Sequence, residues 1–256
     1  MQSVEKIGNV KTKSAIRMIV IFFITTFVFT ILLAIVQEGL SIDYRHIVLP
    51  QWGPGLAAIL LSLTLYKNTL KSGLDLKKLS ILQILLCLLI PFMLLASSFM
   101  IFNLVITPVS SINTLDFTFI SVVLPATFFG AIGEALGWRV FLQKTLNQRF
   151  NPLVSSVIVG LLWGLWHVGH YSNGLVFMIA FLAFTISFSF VLAYSVNKYD
   201  YNLLLSSLFH FSANIGFFLF FSSLTTSKEM ILITALVWIL TSIILVPFYL
   251  RKKYSV

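Results

Sequence analysis

Apolar residues fall in long runs along this chain, and polar residues gather mostly in the gaps between them. A helix of about 20 apolar residues matches the thickness of a bilayer's hydrocarbon core. Eight such runs are legible, at 15–37, 52–66, 80–106, 117–138, 153–171, 175–197, 202–223 and 230–250. The pattern predicts an all-α fold, a polytopic bundle of about eight transmembrane helices. One transmembrane domain spans 1–256, with no soluble domain and no internal repeat. The run 52–66 is the shortest, and Pro50 and Pro54 crowd its start. A proline in a first helical turn costs little, because its missing N–H would be unpaired there anyway. Pro91 and Pro125 lie inside runs and predict kinks that neighbouring helices absorb.

Composition agrees with the pattern. Of 256 residues, 59% are hydrophobic, 10% are charged and 25 are phenylalanine. The mean hydropathy is +1.00, which excludes an ordinary soluble domain. The formal charge of +9 does not form one basic patch, so nucleic acid is excluded as a partner. Instead the cations mark the gaps. Lys6, Lys11, Lys13 and Arg17 precede or open the first run, and Lys67, Lys71, Lys77 and Lys78 follow the second. Arg139, Lys144 and Arg149 follow the fourth, Lys198 the sixth, and Arg251, Lys252 and Lys253 the last. With the amino terminus inside, 15 basic residues are cytoplasmic and only Arg45 and Lys228 are not. That split fits the positive-inside rule and predicts an integral membrane protein with both termini cytoplasmic. The first run is longer than a signal-peptide core and lacks a small-x-small cleavage site, so it reads as a retained anchor. Cys87 is the single cysteine, which rules out an internal disulfide and a cysteine metal site. It reads as a small core or lipid-facing residue.

Four polar residues interrupt this apolar background: Glu134, His167, His210 and Asn214. Such groups are costly at bilayer depth and usually face a protein interior or a wet cavity. Glu134 has Arg139 five residues on, and a purely structural ion pair is the simplest alternative. Five residues of α-helix turn through about 140°, however, so a direct pair needs a bend or a long reach. In a low-dielectric pocket Glu134 suits a general base. His167 shares a helix face with Trp163, one turn earlier, and a hydrogen bond to a carbonyl would explain it without function. His170 falls near the outer end and reads as interfacial. His210 and Asn214 stand one turn apart. An imidazole can ligate metal or donate a proton, and an amide can donate to an oxyanion. Hydrogen bonding between helices is the structural alternative for both. Nothing marks Ser206 or Ser207 as a nucleophile. Taken together, residues from three helices supply the parts needed to activate water. Gly133–Gly137 and Gly160–Gly164 flank Glu134 and His167 at GxxxG spacing and are expected to bring the fourth and fifth helices together.

Glu134…Arg139, Trp163…His167 and His210…Asn214, in that order, resemble the three motifs of the CAAX protease and bacteriocin-processing (Abi) family. The stretch GEALGWRVFL, from Gly133 to Leu142, is the most similar part, and the resemblance covers roughly 120–220. It implies a hydrolase of the bacterial cell membrane, an intramembrane endopeptidase resembling type II CAAX prenyl proteases, with its protease core near 117–223. Glu134 would activate the attacking water, His167 and His210 would bind that water directly or through a metal, and Asn214 would steady the oxyanion. Arg139 would support the site. The implied metalloprotease label leaves open zinc or another divalent metal, or none, because two histidines are a lean zinc set. Two positions depart from the family pattern. Ala135 replaces the second of paired glutamates, and Trp163 replaces the usual phenylalanine.

The resulting expectation is hydrolysis of a peptide bond in a peptide or membrane-tethered protein, within a cavity open toward the cytoplasmic leaflet. Glu134 and His167 can meet only if the fourth helix runs on toward Lys144 and the fifth starts deeper than its run suggests. Membrane lipid and a peptide or membrane-protein substrate are the expected partners, and the sequence does not give the oligomeric state. Two other classes compete. A non-catalytic bacteriocin-immunity or scaffold protein would explain Ala135. A proton-coupled transporter would need related halves, and the first 120 residues hold no second copy of the Glu/His pattern.

Overall fold

Eight helices and no strands form among the described residues of the computed structural model. These residues are 2–44, 46–67, 69–70, 73, 79–109 and 117–254, with only the backbone described for 2–13, 199 and 249–254. Of the cations used to orient the chain, Arg45, Lys71, Lys77 and Lys78 lie outside the described residues. In chain order the helices are α1 (Gln2–Gly39), α2 (Gly53–Leu63), α3 (Ile81–Val105), α4 (Phe119–Asn147) and α5 (Pro152–Trp166). They continue as α6 (Leu175–Val196), α7 (Leu203–Phe221) and α8 (Lys228–Tyr254). Side chains set several starts. The Ser80 hydroxyl accepts from the Gln83 N–H, and the Gln83 side chain returns the bond, closing a capping box on α3. Asn151 caps α5 by accepting from Val154 N–H at 2.9 Å, and Asn202 caps α7 by accepting from Leu205 N–H at 3.2 Å.

Six of the eight helices are long and apolar enough to cross a membrane. The other two correct the expectation of eight full spans. With 11 and 15 residues, α2 and α5 are about 16 and 22 Å long, short of a hydrocarbon core of about 30 Å. Both have one end at the level of Glu134. The turn before α2 lies against Gly133, and Trp163, near the end of α5, bonds to Glu134. Irregular backbone at such depth is tolerated where it is buried in protein or lines a cavity. The short 3-10 turns at Leu49–Trp52 and Val168–Asn173 occupy those positions.

The fourth helix does run past Lys144, ending at Asn147, and a tight turn leads to Pro152. Measured from that turn, Glu134 stands about 20 Å up α4 and Trp163 about 17 Å up α5, so the two meet. Two stretches of α4 are wound as π-helix, Phe119–Val123 and Leu136–Gln143. The first immediately precedes Pro125, whose missing N–H leaves a carbonyl without its usual donor.

The glycine pairs join different partners from those the sequence suggested. A Cβ on Gly137 would lie 2.5 Å from the Pro54 carbonyl oxygen, and one on Gly133 2.9 Å from the Gln51 carbonyl oxygen. This pair therefore seats α4 on α2 and its leading turn. A Cβ on Gly160 would lie 2.7 Å from the Thr185 carbonyl oxygen, and one on Gly164 2.5 Å from its hydroxyl, so that pair seats α5 on α6. Side chains, not glycines, tie α4 to α5. Cys87 is buried, as a core residue. Ile24, Leu82, Leu104, Leu175 and Ile244 are exposed on the helix flanks, where lipid would cover them.

Candidate active site

Glu134 lies at the end of the regular α-helical part of α4 and is only 2% exposed. Its Oε1 accepts from Gln51 Nε2 at 3.0 Å, and its Oε2 accepts from the Trp163 indole N–H at 2.8 Å. His210 Nε2 stands 3.8 Å from the same Oε2. The chain then enters the π segment Leu136–Gln143. A winding with i→i+5 bonds carries a residue five positions on back above the first. This is the bend that Arg139 needs to return toward Glu134. Trp163 separates the two roles. Its N–H serves the carboxylate, while the Arg139 guanidinium sits over its ring, 5.1 Å from the centroid. Arg139 also lies 5.8 Å from the Phe188 centroid and donates to Ser189 Oγ at 2.9 Å. Among the described residues no ion pair joins Arg139 to Glu134.

His167 ends α5, and its Nδ1 lies 2.8 Å from the Trp163 carbonyl oxygen. A carbonyl can only accept, so Nδ1 donates, and in the neutral ring Nε2 is the remaining acceptor. His210 presents its ring to Trp163 at 5.3 Å, nearly perpendicular, and to Phe188 at 5.9 Å. Glu134, His167, His210 and Asn214 all line one cavity of about 520 Å³. Arg139 does not line it and lies behind Trp163.

Four contributors were not legible as site residues. Gln51 stands 83 positions before its partner, in a 3-10 turn at the head of the weakest apolar run, and only Pro50 and Pro54 hinted at special geometry there. Trp163, noted in the sequence as a replacement for phenylalanine, is a hydrogen-bond donor to Glu134. Ser189 carries no signal within an apolar helix. His170 was read as interfacial. The 3-10 turn after α5 instead folds it over His167, with near-parallel rings 6.0 Å apart, and it lines the cavity.

The expected metal pair was His167 and His210. The Nδ1 bond to a carbonyl leaves His167 Nε2 free, so the test of a metal site is how many donors gather there. Among the described residues no three His, Cys, Asp or Glu side chains gather at one metal-sized point. Catalytic zinc normally takes three protein ligands, so this arrangement does not fit such a site, and no step through a metal follows from it.

The cavity runs from a floor at Glu134, Phe188 and His210 toward the starts of α4, α6 and α8 and the end of α7. Ser222, Thr225 and Ser227 rim its mouth. Lys67, Lys144, Arg149 and Lys198 lie at the other end of the bundle, with the first turn of α1 and the last of α8. If the termini are cytoplasmic, the mouth faces the opposite leaflet, not the cytoplasmic one the sequence reading expected.

The indole bond gives one direct expectation. Trp163→Phe should keep the aromatic wall and remove one of two donors to the carboxylate. Denaturant unfolding in detergent should show a loss of about 1–3 kcal/mol. An unchanged midpoint would mean the bond contributes nothing net.

Comparison with known proteins bears on the segment that carries these residues. Residues 116–216 match the family model described as type II CAAX prenyl endopeptidase Rce1-like. The chain is also similar to lysostaphin resistance protein A of Staphylococcus aureus strains Newman, USA300 and N315. Identity is 26% over 212 residues, covering 80% of this chain and 50% of each of those proteins. The chain thus spans about half the length of the curated relatives it matches. Six apolar helices and this family segment make it an integral membrane protein. Glu134, Arg139, His167, His210 and Asn214 all fall inside the matched stretch, and over that stretch the chain is similar to Rce1-like type II CAAX prenyl endopeptidases.

Proposed function

We propose that the protein is an intramembrane endopeptidase that uses Glu134 as the base for a hydrolytic water. The single observation that carries this reading is the buried Glu134 carboxylate, held by Gln51 and Trp163 in the wall of a cavity that His167, His210 and Asn214 also line. A carboxylate has about four lone-pair sites, and two accepted N–H bonds leave others for a water proton. Glu134 takes that proton as the water oxygen bonds to the substrate carbonyl carbon. The carbonyl oxygen becomes an oxyanion, to which the Asn214 amide donates. The oxyanion then collapses, the C–N bond breaks, and the proton held by Glu134 passes to the leaving nitrogen. His210, 3.8 Å from Glu134, orients the water. Arg139 positions Trp163 and so acts through it. Phenylalanine walls suit apolar side chains of a peptide or membrane-tethered protein.

One observation favours a second reading. Ala135 stands where the resembled family carries its second glutamate, and a chain without that group would serve as a binding scaffold or immunity protein. The test separates them. Purified protein in nanodiscs is incubated with a mixture of apolar peptides, and new termini are read by mass spectrometry. The peptidase reading expects discrete new termini, reduced about a hundredfold by His210→Phe, which keeps ring packing and removes the imidazole nitrogens. Binding without new termini supports the scaffold.

A further inference from the structure

Two independent patterns meet at the mouth of the cavity. The first is geometric. From Glu134 the lining passes through Thr127 and Val123 of α4, and from His210 through Asn214 and Phe217 of α7, always toward the same end. The second is charge. Among the described residues, the loops and helix ends at the mouth side hold Lys228 alone as a cation, whereas the opposite end holds eleven lysines and arginines, and Arg139 is buried between the two. Cationic loops stay in the cytoplasm, and acidic residues weigh little in that rule.

We infer that the cavity opens on the non-cytoplasmic face and takes a peptide segment presented from that side. This rests on the peptidase reading above for what happens to the segment, and on charge and helix direction for where it enters. The occupant is a secreted or membrane-tethered chain in extended form, not a chain end delivered from the cytoplasm. Its recognition element is a bulky apolar side chain, because Phe177, Phe181, Phe184, Phe217 and Phe221 wall the route between mouth and floor. Chain on both sides of the scissile bond must leave through the polar rim at Ser222, Thr225 and Ser227.

The test uses full-length protein in intact cells, in a Cys87→Ala background that removes the only native thiol. Thr226→Cys reports the mouth side, and Gln148→Cys, in the turn between α4 and α5, reports the other. A membrane-impermeant maleimide is expected to label Thr226→Cys at least ten times faster than Gln148→Cys, with the difference lost on permeabilisation. The reverse pattern overturns the inference. A second arm adds a quenched fluorescent peptide outside the cells, apolar at its centre and charged at both ends. A bulky polyethylene glycol maleimide on Thr225→Cys should cut its cleavage at least tenfold. Cleavage that continues through the blocked mouth overturns the entry route. If labelling comes out as expected but no variant cleaves, the outward mouth stands, and the peptidase reading falls together with the substrate half of this inference.

Discussion

Glu134→Gln lowers peptide turnover about a thousandfold while leaving peptide binding nearly intact. The substitution keeps the shape of the side chain and removes the base. General-base contributions span about 10²–10⁴, and among the described residues no other carboxylate lines the cavity to substitute. A glutamine also meets its neighbours badly. Gln51 and Trp163 both donate to this position, so one of them must face the new NH₂ group. Losing that bond costs about 1–2 kcal/mol, small beside the catalytic loss. Single-turnover cleavage, peptide binding and denaturant unfolding, measured on one preparation, separate these effects. Undiminished turnover would remove Glu134 from the chemistry, whatever its place in the cavity.

Gly137→Ala gives the largest expected loss of stability. The added methyl would lie 2.5 Å from the Pro54 carbonyl carbon and oxygen. These are backbone atoms and cannot rotate aside, so α2 must move away from α4. Overpacking of this kind costs about 1–3 kcal/mol, and the upper end applies where backbone is the obstacle. Activity falls with it, because the turn leading into α2 carries Gln51, which holds Glu134. Gly39→Ala is the control. Nothing lies within 4 Å of a Cβ there, and the substitution gains up to about 1 kcal/mol of helix propensity. Equal unfolding midpoints for the two variants would show that the α2–α4 seam is looser than the distances state.

The sequence located the helices well and their depth poorly. The runs 80–106, 175–197 and 202–223 became Ile81–Val105, Leu175–Val196 and Leu203–Phe221, because polar gaps and the caps Ser80 and Asn202 bound them. The apolar run 153–171 was carried past Trp166, where the α-helix stops, although His167, Gly169 and His170 already break the run there. Glu134, His167, His210 and Asn214 stood out because each is polar against an apolar background, and the structure brings all four to one cavity. Gln51 did not stand out, being an ordinary residue of a polar gap that becomes important only through an 83-residue contact. The π winding of Leu136–Gln143 has no compositional mark either. Without it, the 140° separation between Glu134 and Arg139 had looked like an obstacle.

A phenylalanine-lined vestibule has a kinetic signature. Above the floor of Glu134, Phe188 and His210, both halves of a substrate cut as proposed would leave past the phenylalanines that line the cavity. The greasier fragment lingers against the phenylalanines, so its release, not bond scission, sets the steady rate for the most apolar substrates, and added fragment slows the reaction by occupying the vestibule.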